Sequence, residues 1–245
     1  MPEHELWVTA LFNDHFAGIA GAILAVAGAQ AANPARPWAN FITMQILVAL
    51  VVVVVFALLR PRLSMDRPGK LQHVFEVIYG FLHGESREIV GHHGPRYLRM
   101  FGTLFLFILF SNLLGVIPGF ESPTMFPPVP LGCALVTFLY YNLMGFRAQG
   151  VGAYLAHFAG PAPFLAPIMV PIEIISHLAR PLSLTIRLYA NMFAGEQVII
   201  VFLGLTYLVV PTVFMGLHVL VSLLQAYIFT LLTMIYVAGA VEHEH

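Results

Sequence analysis

Residues 197–241 read QVIIVFLGLTYLVVPTVFMGLHVLVSLLQAYIFTLLTMIYVAGAV, a stretch in which His218 is the only group that titrates near neutrality. A bilayer's hydrocarbon core takes about 20 apolar residues per helix, so this run is too long for one crossing. Pro211 falls where the chain has to turn, and a proline ends a helix or opens the next one. The run therefore reads as the end of one helix, a tight turn, and a second helix from about Leu208 to Ala240. The helix before the turn begins near Ile168. At 1.5 Å per residue, 168–203 is roughly 54 Å long and 208–240 roughly 50 Å. Hydrocarbon about 30 Å thick holds such helices only if they tilt steeply or kink. Pro171 and Pro181 permit kinks in the first helix, while Ala190, Ala194 and Gly195 let a neighbouring helix approach closely.

Working outward, three further charge-poor stretches have the length of a crossing: Phe41–Leu59, with the run Val51–Val55; Met100–Phe120; and the shorter Val129–Phe146. The expected fold is an all-α integral membrane protein with five transmembrane helices, at about 41–59, 100–118, 129–146, 168–203 and 208–240. The last two form a long, strongly tilted hairpin, and residues 38–245 make one membrane domain. Leu71–Val90 places Val74, Val77, Ile78, Phe81 and Leu82 at helical spacing beside Lys70, His73, Glu76 and Glu85, which predicts a helix on the cytoplasmic membrane surface. Composition agrees: 59% of the 245 residues are hydrophobic and 9% charged, with mean hydropathy +0.85. That is too little charge to cover a soluble surface. A net charge of −1 offers nothing to nucleic acid. The single cysteine, Cys133, has no internal disulfide partner.

Short cytoplasmic loops retain Lys and Arg. Arg60, Arg62, Arg67, Lys70, Arg87, Arg96 and Arg99 fall between the first and second spans, which sets that loop inside. By alternation Arg147 is inside, the stretch from Glu121 to Pro128 outside, and the C-terminus cytoplasmic. The apolar, Ala- and Gly-rich Phe16–Ala32 follows Glu3, Glu5 and Asp14 and makes a poor signal peptide. The preferred reading is an external N-terminal segment, 1–37, containing an interfacial helix. A sixth span there would move the N-terminus to the cytoplasm.

The hairpin's polar residues carry the functional argument. A charge at mid-membrane costs about 2.5–3.5 kcal/mol on insertion scales, and Arg187 sits too deep to snorkel easily. Arg180, Ser183, Arg187 and Asn191 are spaced by three, four and four and share one face. Glu173 joins that face a heptad earlier, with His177 between. Glu196 lies on the opposite side. On the final helix His218, Ser222 and Gln225 form a second stripe, and Glu196 and His218 both belong near the external end. Spacing alone leaves other readings open: His218 as a packing histidine, Asn191 and Gln225 as interhelical glue, Arg180 and Glu173 as a boundary ion pair. His92 with His93, and His243 with His245, lack Cys or carboxylate companions at ligand spacing, so no metal site is expected. No phosphate loop and no nucleophile–base pattern is present, and no cofactor is called for.

The run RPLSLTIRLYANMFAGE, Arg180–Glu196, resembles the signature helix of subunit a (subunit 6) of F-type ATP synthases. HVLVSLLQAYIF, His218–Phe229, is similar to that family's last helix, and SNLLGVIP, Ser111–Pro118, to its earlier Asn-containing span. The resemblance covers about Trp38 to the C-terminus. It implies a proton-translocating stator of the Fo sector in the bacterial inner membrane, with two offset half-channels against a rotating c-subunit ring. Such a subunit is non-catalytic by itself and has a b-subunit peripheral stalk and the remaining synthase subunits as partners. It also implies roles: Arg187 as the essential arginine facing the rotor carboxylates; Asn191, Glu196, His218 and Gln225 on the external path; Glu173 on the cytoplasmic path. His177, Arg180, Ser183, Ser222 and Asn112 are candidate helpers. Two departures are visible. Some relatives carry an acid three residues after the position matching Asn112, where this chain has Gly115, and the loop from Ser122 to Gly132 is unusually rich in proline. The rival reading, a secondary transporter holding an anionic substrate at Arg187, predicts inverted repeats, and none is seen.

Overall fold

A computed structural model describes residues 5–26, 33–64, 68–117, 119–152, 154, 166–206 and 209–241. The sequence readings placed on Arg67, Pro118, His243 and His245 lie outside these. Seven α-helices are described: α1 (Trp7–Val26), α2 (Asn40–Leu59), α3 (Lys70–Val90), α4 (Gly94–Leu114), α5 (Pro128–Gln149), α6 (Ala166–Leu205) and α7 (Val209–Val241). No strand occurs among the described residues. In lipid every backbone N–H and C=O must be bonded inside its own segment, and the helix does this. Five segments are long and apolar enough to cross a membrane: α2, the α3–α4 stretch taken together, α5, α6 and α7.

Among the element boundaries that differ from the sequence reading, two have a visible cause. The first helix starts at Trp7, nine residues before the apolar segment expected to begin at Phe16. Side-chain hydrogen bonds, invisible to hydropathy, hold it. The Thr9 and Thr43 hydroxyls meet at 2.7 Å, and the Trp38 backbone N–H donates to Asn13 Oδ1 at 2.9 Å. Arg36 pairs with Glu5. The apolar stretch also breaks at its own start, where Phe16 leaves helical geometry (φ −125°, ψ 15°). The second difference lies in α4, which stops at Leu114 although apolar sequence continues to Phe120. Beyond it the chain folds back, and Ser122 packs onto Gly115, where an added Cβ would lie 2.7 Å from the serine Cβ. Gly115 is thus the contact that seats the proline-rich loop.

Helices α4, α5, α6 and α7 share one core. Phe101, Ile108, Tyr141, Leu188, Met192, Phe229 and Val237 are fully buried in it. Lipid tails are as apolar as leucine, so this packing is held by close fit and interhelical polar contacts rather than by escape from water. Helix α6 is one continuous helix through Pro171 and Pro181, although each proline forfeits one i→i−4 bond. Its 40 residues give roughly 60 Å. Just 11% of its most apolar stretch is buried, against 39% for both α5 and α7. Leu182 and Ile186 are among its exposed side chains. A helix this bare requires lipid or another membrane body against it.

The ends of the bundle are distinguishable. At one, Asn40 Nδ2 donates to Glu121 Oε2 at 3.3 Å, and Trp7 meets Phe120 edge-on. At the other, Gln149 Nε2 donates to the Ala240 carbonyl at 3.2 Å. Placing the Glu121 end outside and the Arg147 end inside is a testable orientation. In an otherwise Cys-free chain lacking Cys133, Ala35→Cys is expected to react with an impermeant thiol reagent on intact cells, and Ser64→Cys on inverted vesicles only. Both positions bracket α2, and Thr124, a natural first choice for the external loop, is fully buried. Labelling of both cysteines from one side would overturn the topology.

Candidate functional site

Arg187 lies near the middle of α6, about 32 Å from its first residue and about 27 Å from its last at the helical rise. Its Nη2 is 3.5 Å from Ser183 Oγ, one turn back. No carboxylate lies within ion-pair distance of it among the described residues. Arg180, seven residues earlier, is differently placed. It sits 3.9 Å from Glu173, with its guanidinium 5.3 Å from the Tyr236 ring centroid and 6.0 Å from that of Tyr141. The sequence stripe is thus split between a satisfied arginine at the Arg147 end and an unpaired one at mid-helix.

Toward the Glu121 end the two long helices meet through polar side chains. Asn191 Nδ2 donates to Gln225 Oε1 at 2.9 Å. One turn or so further, the His218 imidazole packs on Gly195, where a Cβ would come within 2.4 Å of Nδ1. His218, Ser222 and Gln225 are all buried. Four atoms here are buried without a hydrogen-bond partner among the described residues: Glu196 Oε2, His218 Nδ1, Ser222 Oγ and Gln225 Nε2. Each such group costs about 1–3 kcal/mol, and a run of them ascending one helix–helix seam is a poor way to stabilise a fold. It is a good way to keep a seam polar. Glu121 is the electrostatic neighbour of Glu196.

Asn112 closes this region from α4. Its Nδ2 donates to the Ser222 carbonyl at 3.3 Å, and its Oδ1 accepts from the Thr124 hydroxyl at 2.6 Å. Ser122 Oγ lies 2.7 Å from Thr124 Oγ1 and donates to the Ser111 carbonyl. Sequence reasoning identified Asn112 and missed Ser122 and Thr124, whose importance depends on the loop folding back over Gly115. It also missed α5. His177, assigned by spacing to the stripe of Glu173 and Arg180, is buried instead and turned toward Tyr141 and Asn142. No group of three or more metal-ligating side chains occurs among the described residues.

Residues 41–238 match the family described as ATP synthase A chain. The chain is 67% identical over 235 residues to ATP synthase subunit a of Solibacter usitatus (strain Ellin6076), covering 96% of this chain and 100% of that protein. It is 48% identical over 242 residues to ATP synthase subunit a of Koribacter versatilis (strain Ellin345), covering 99% of each. A more distant relative, ATP synthase subunit a of Sulfurihydrogenibium sp. (strain YO3AOP1), is 40% identical over 205 residues, 83% of this chain and 98% of that one. With five segments able to span a bilayer and this match along nearly its whole length, the chain is a multi-pass membrane protein belonging to the ATP synthase A chain family.

Proposed function

We propose that this chain is the proton-translocating stator of an F-type ATP synthase, presenting two offset half-channels to a ring of c subunits. The observation that carries the reading is Arg187: an arginine at the middle of the barest span, without a carboxylate partner among the described residues. A charge so placed is tolerable against an acid supplied from elsewhere, and a rotor carboxylate arriving through the membrane is such an acid. External protons enter beside Glu196 and His218, descend the seam past Ser222 to Asn191 and Gln225, and neutralise a rotor carboxylate. Once neutral, that carboxyl faces lipid without the cost of a buried charge. Beside Arg187 the opposite charge favours the ionised carboxylate, which releases its proton toward Glu173 and the cytoplasm. Arg187 cannot itself deprotonate, so it bars direct leakage between the paths. The membrane potential supplies about 2.3 kcal/mol per charge per 100 mV.

In this arrangement α3 lies on the cytoplasmic surface, and the b-subunit stalk and remaining subunits hold the chain against rotation. Purification in mild detergent is expected to bring down a ring of small two-helix subunits, and Leu182→Cys or Ile186→Cys is expected to cross-link to a cysteine on that ring. A lone oligomer of this chain, with neither ring nor cross-link, would favour the secondary-transporter alternative.

A further inference from the structure

We propose that the hollow between α2, α3 and α4 binds an anionic phospholipid, taking an acyl chain into its apolar interior and the phosphate at Arg99. The site stands apart from the proton path described above and uses none of its residues.

Helices α2 and α3 each pack on α4 and leave between them a partly open cavity of about 800 Å³. Val52 and Phe56 of α2, Phe75 and Ile78 of α3, and Leu98 and Leu106 of α4 line it. One end is built by a polar clasp. Gln72, a buried lining residue, accepts from the Ser64 backbone N–H at 3.1 Å and donates to the Ser64 carbonyl at 2.9 Å. This ties the start of α3 to the segment that follows α2 and holds the hollow's end in place.

The charges around the hollow are of one sign. Arg99 lines it, and Arg96 and Arg99 of α4 lie with Arg147 of α5 within electrostatic reach of Tyr140. None of these three arginines has a carboxylate within ion-pair distance among the described residues. Arg60 and Arg62 fall between the lining residues Leu59 and Leu63, and Lys70 comes two residues before Gln72. The acid in the lining, Glu76, accepts from Gln72 Nε2 at 2.7 Å. Cations gathered without matching acids favour an anion among them. A phosphate suits the planar guanidinium, which can hold two of its oxygens at once, and basic groups at this level are drawn to anionic lipid.

Depth selects a lipid over a protein helix. From Pro95 to Leu106 the hollow follows α4 for roughly 17 Å, against about 15 Å for half of the hydrocarbon thickness. Arg99 lies toward the Pro95 end and Leu106 at the other, so the charge sits at one level and apolar lining continues from it toward mid-membrane. A crossing helix of another subunit needs a seat through about 30 Å. A phospholipid in the leaflet bordering Arg99, the cytoplasmic leaflet in the proposed orientation, has the hollow's length and its order of groups.

The test uses the complete membrane complex in phosphatidylcholine vesicles, doped with phosphatidylglycerol bearing a photoactivatable acyl chain or with phosphatidylcholine bearing the same chain. Subunit composition confirms assembly of each variant. The phosphatidylglycerol probe is expected to label the segments around Ile78 and Leu106 about fivefold more than the phosphatidylcholine probe, and Arg99→Gln to remove most of that preference. Gly102 also lines the hollow, and a Cβ added there meets nothing within 4 Å. Gly102→Phe therefore fills the space with Arg99 still present, and is expected to abolish labelling by both probes. Equal labelling by the two probes, or a preference that survives Arg99→Gln, overturns the site. Labelling unchanged in Gly102→Phe overturns it too, because the chain then lies outside the hollow. A hollow that neither probe labels, with Leu106→Cys cross-linking to another subunit, assigns the space to a protein helix and overturns the lipid. None of these results bears on Arg187, on which the stator reading rests.

Discussion

Arg187→Ala abolishes proton-driven ATP synthesis in an otherwise assembled complex and opens a passive proton leak, whereas Arg180→Ala retains measurable coupled synthesis. This is the expected result in vesicles carrying each variant, and the difference follows from where the two guanidinium groups end up. Arg180 has its partners within the chain: Glu173 at 3.9 Å and the Tyr236 ring at 5.3 Å. Its loss removes an ion pair that is partly solvated and therefore weak. Among the described residues Arg187 has only the long contact to Ser183, and a mid-membrane charge costs about 2.5–3.5 kcal/mol on insertion scales. On the stator reading, a carboxylate of the rotor offsets that cost. On the stator reading, with alanine in its place a passing rotor carboxylate keeps its proton beside the cytoplasmic path, and nothing charged separates the two proposed half-channels. Arg187→Lys is expected to fail nearly as completely. An ammonium lacks the planar fork that spans a carboxylate, and when desolvated it can surrender its proton. Coupled synthesis near the wild-type rate in Arg187→Ala vesicles, with ring content confirmed, would overturn the stator reading.

What could be read from residues alone divides along a physical line. The apolar run Phe41–Leu59 became α2, Asn40–Leu59, and the 197–241 stretch became the end of α6 and all of α7, because insertion into lipid is decided by length and polarity, which the sequence states outright. The depth of Arg187 follows from the same count. Direction around a helix is harder, since a wheel gives angles and not neighbours. His177 shares a turn with Glu173 and Arg180, yet it points into α5, and only the placement of Asn142 and Tyr141 across the interface reveals that. The early start of helix α1 escaped for a similar reason: Thr9 and Asn13 anchor it by bonds to Thr43 and Trp38, which no hydrophobic period encodes. The shortened end of α4 depends on Ser122 reaching Gly115, a contact made by a loop folding back.

The same distinction makes Glu196 the sharper test of the external path. Helical spacing set it opposite Arg187, and the structure adds that its Oε2 is buried without a hydrogen-bond partner among the described residues. It stands beside Gly195, the residue on which His218 rests. A carboxyl kept for packing tolerates the isosteric amide, because Gln fills the same volume and bonds the same neighbours. A carboxyl that hands protons on does not, because the amide cannot take one up. Glu196→Gln is therefore expected to leave the complex assembled and to slow synthesis at limiting proton-motive force by roughly tenfold or more, toward the range that positioned acid–base groups contribute. Glu196→Asp, which keeps the chemistry and shortens the reach by one methylene, is expected to fall between the two. The slowing should be greatest when external protons are scarce, because intake then limits turnover, and should shrink as the external pH is lowered. A rate equal to wild type across that range would reduce Glu196 to a filler of the α6–α7 seam. The unpartnered Ser222 and Gln225 atoms would then need an explanation other than proton traffic.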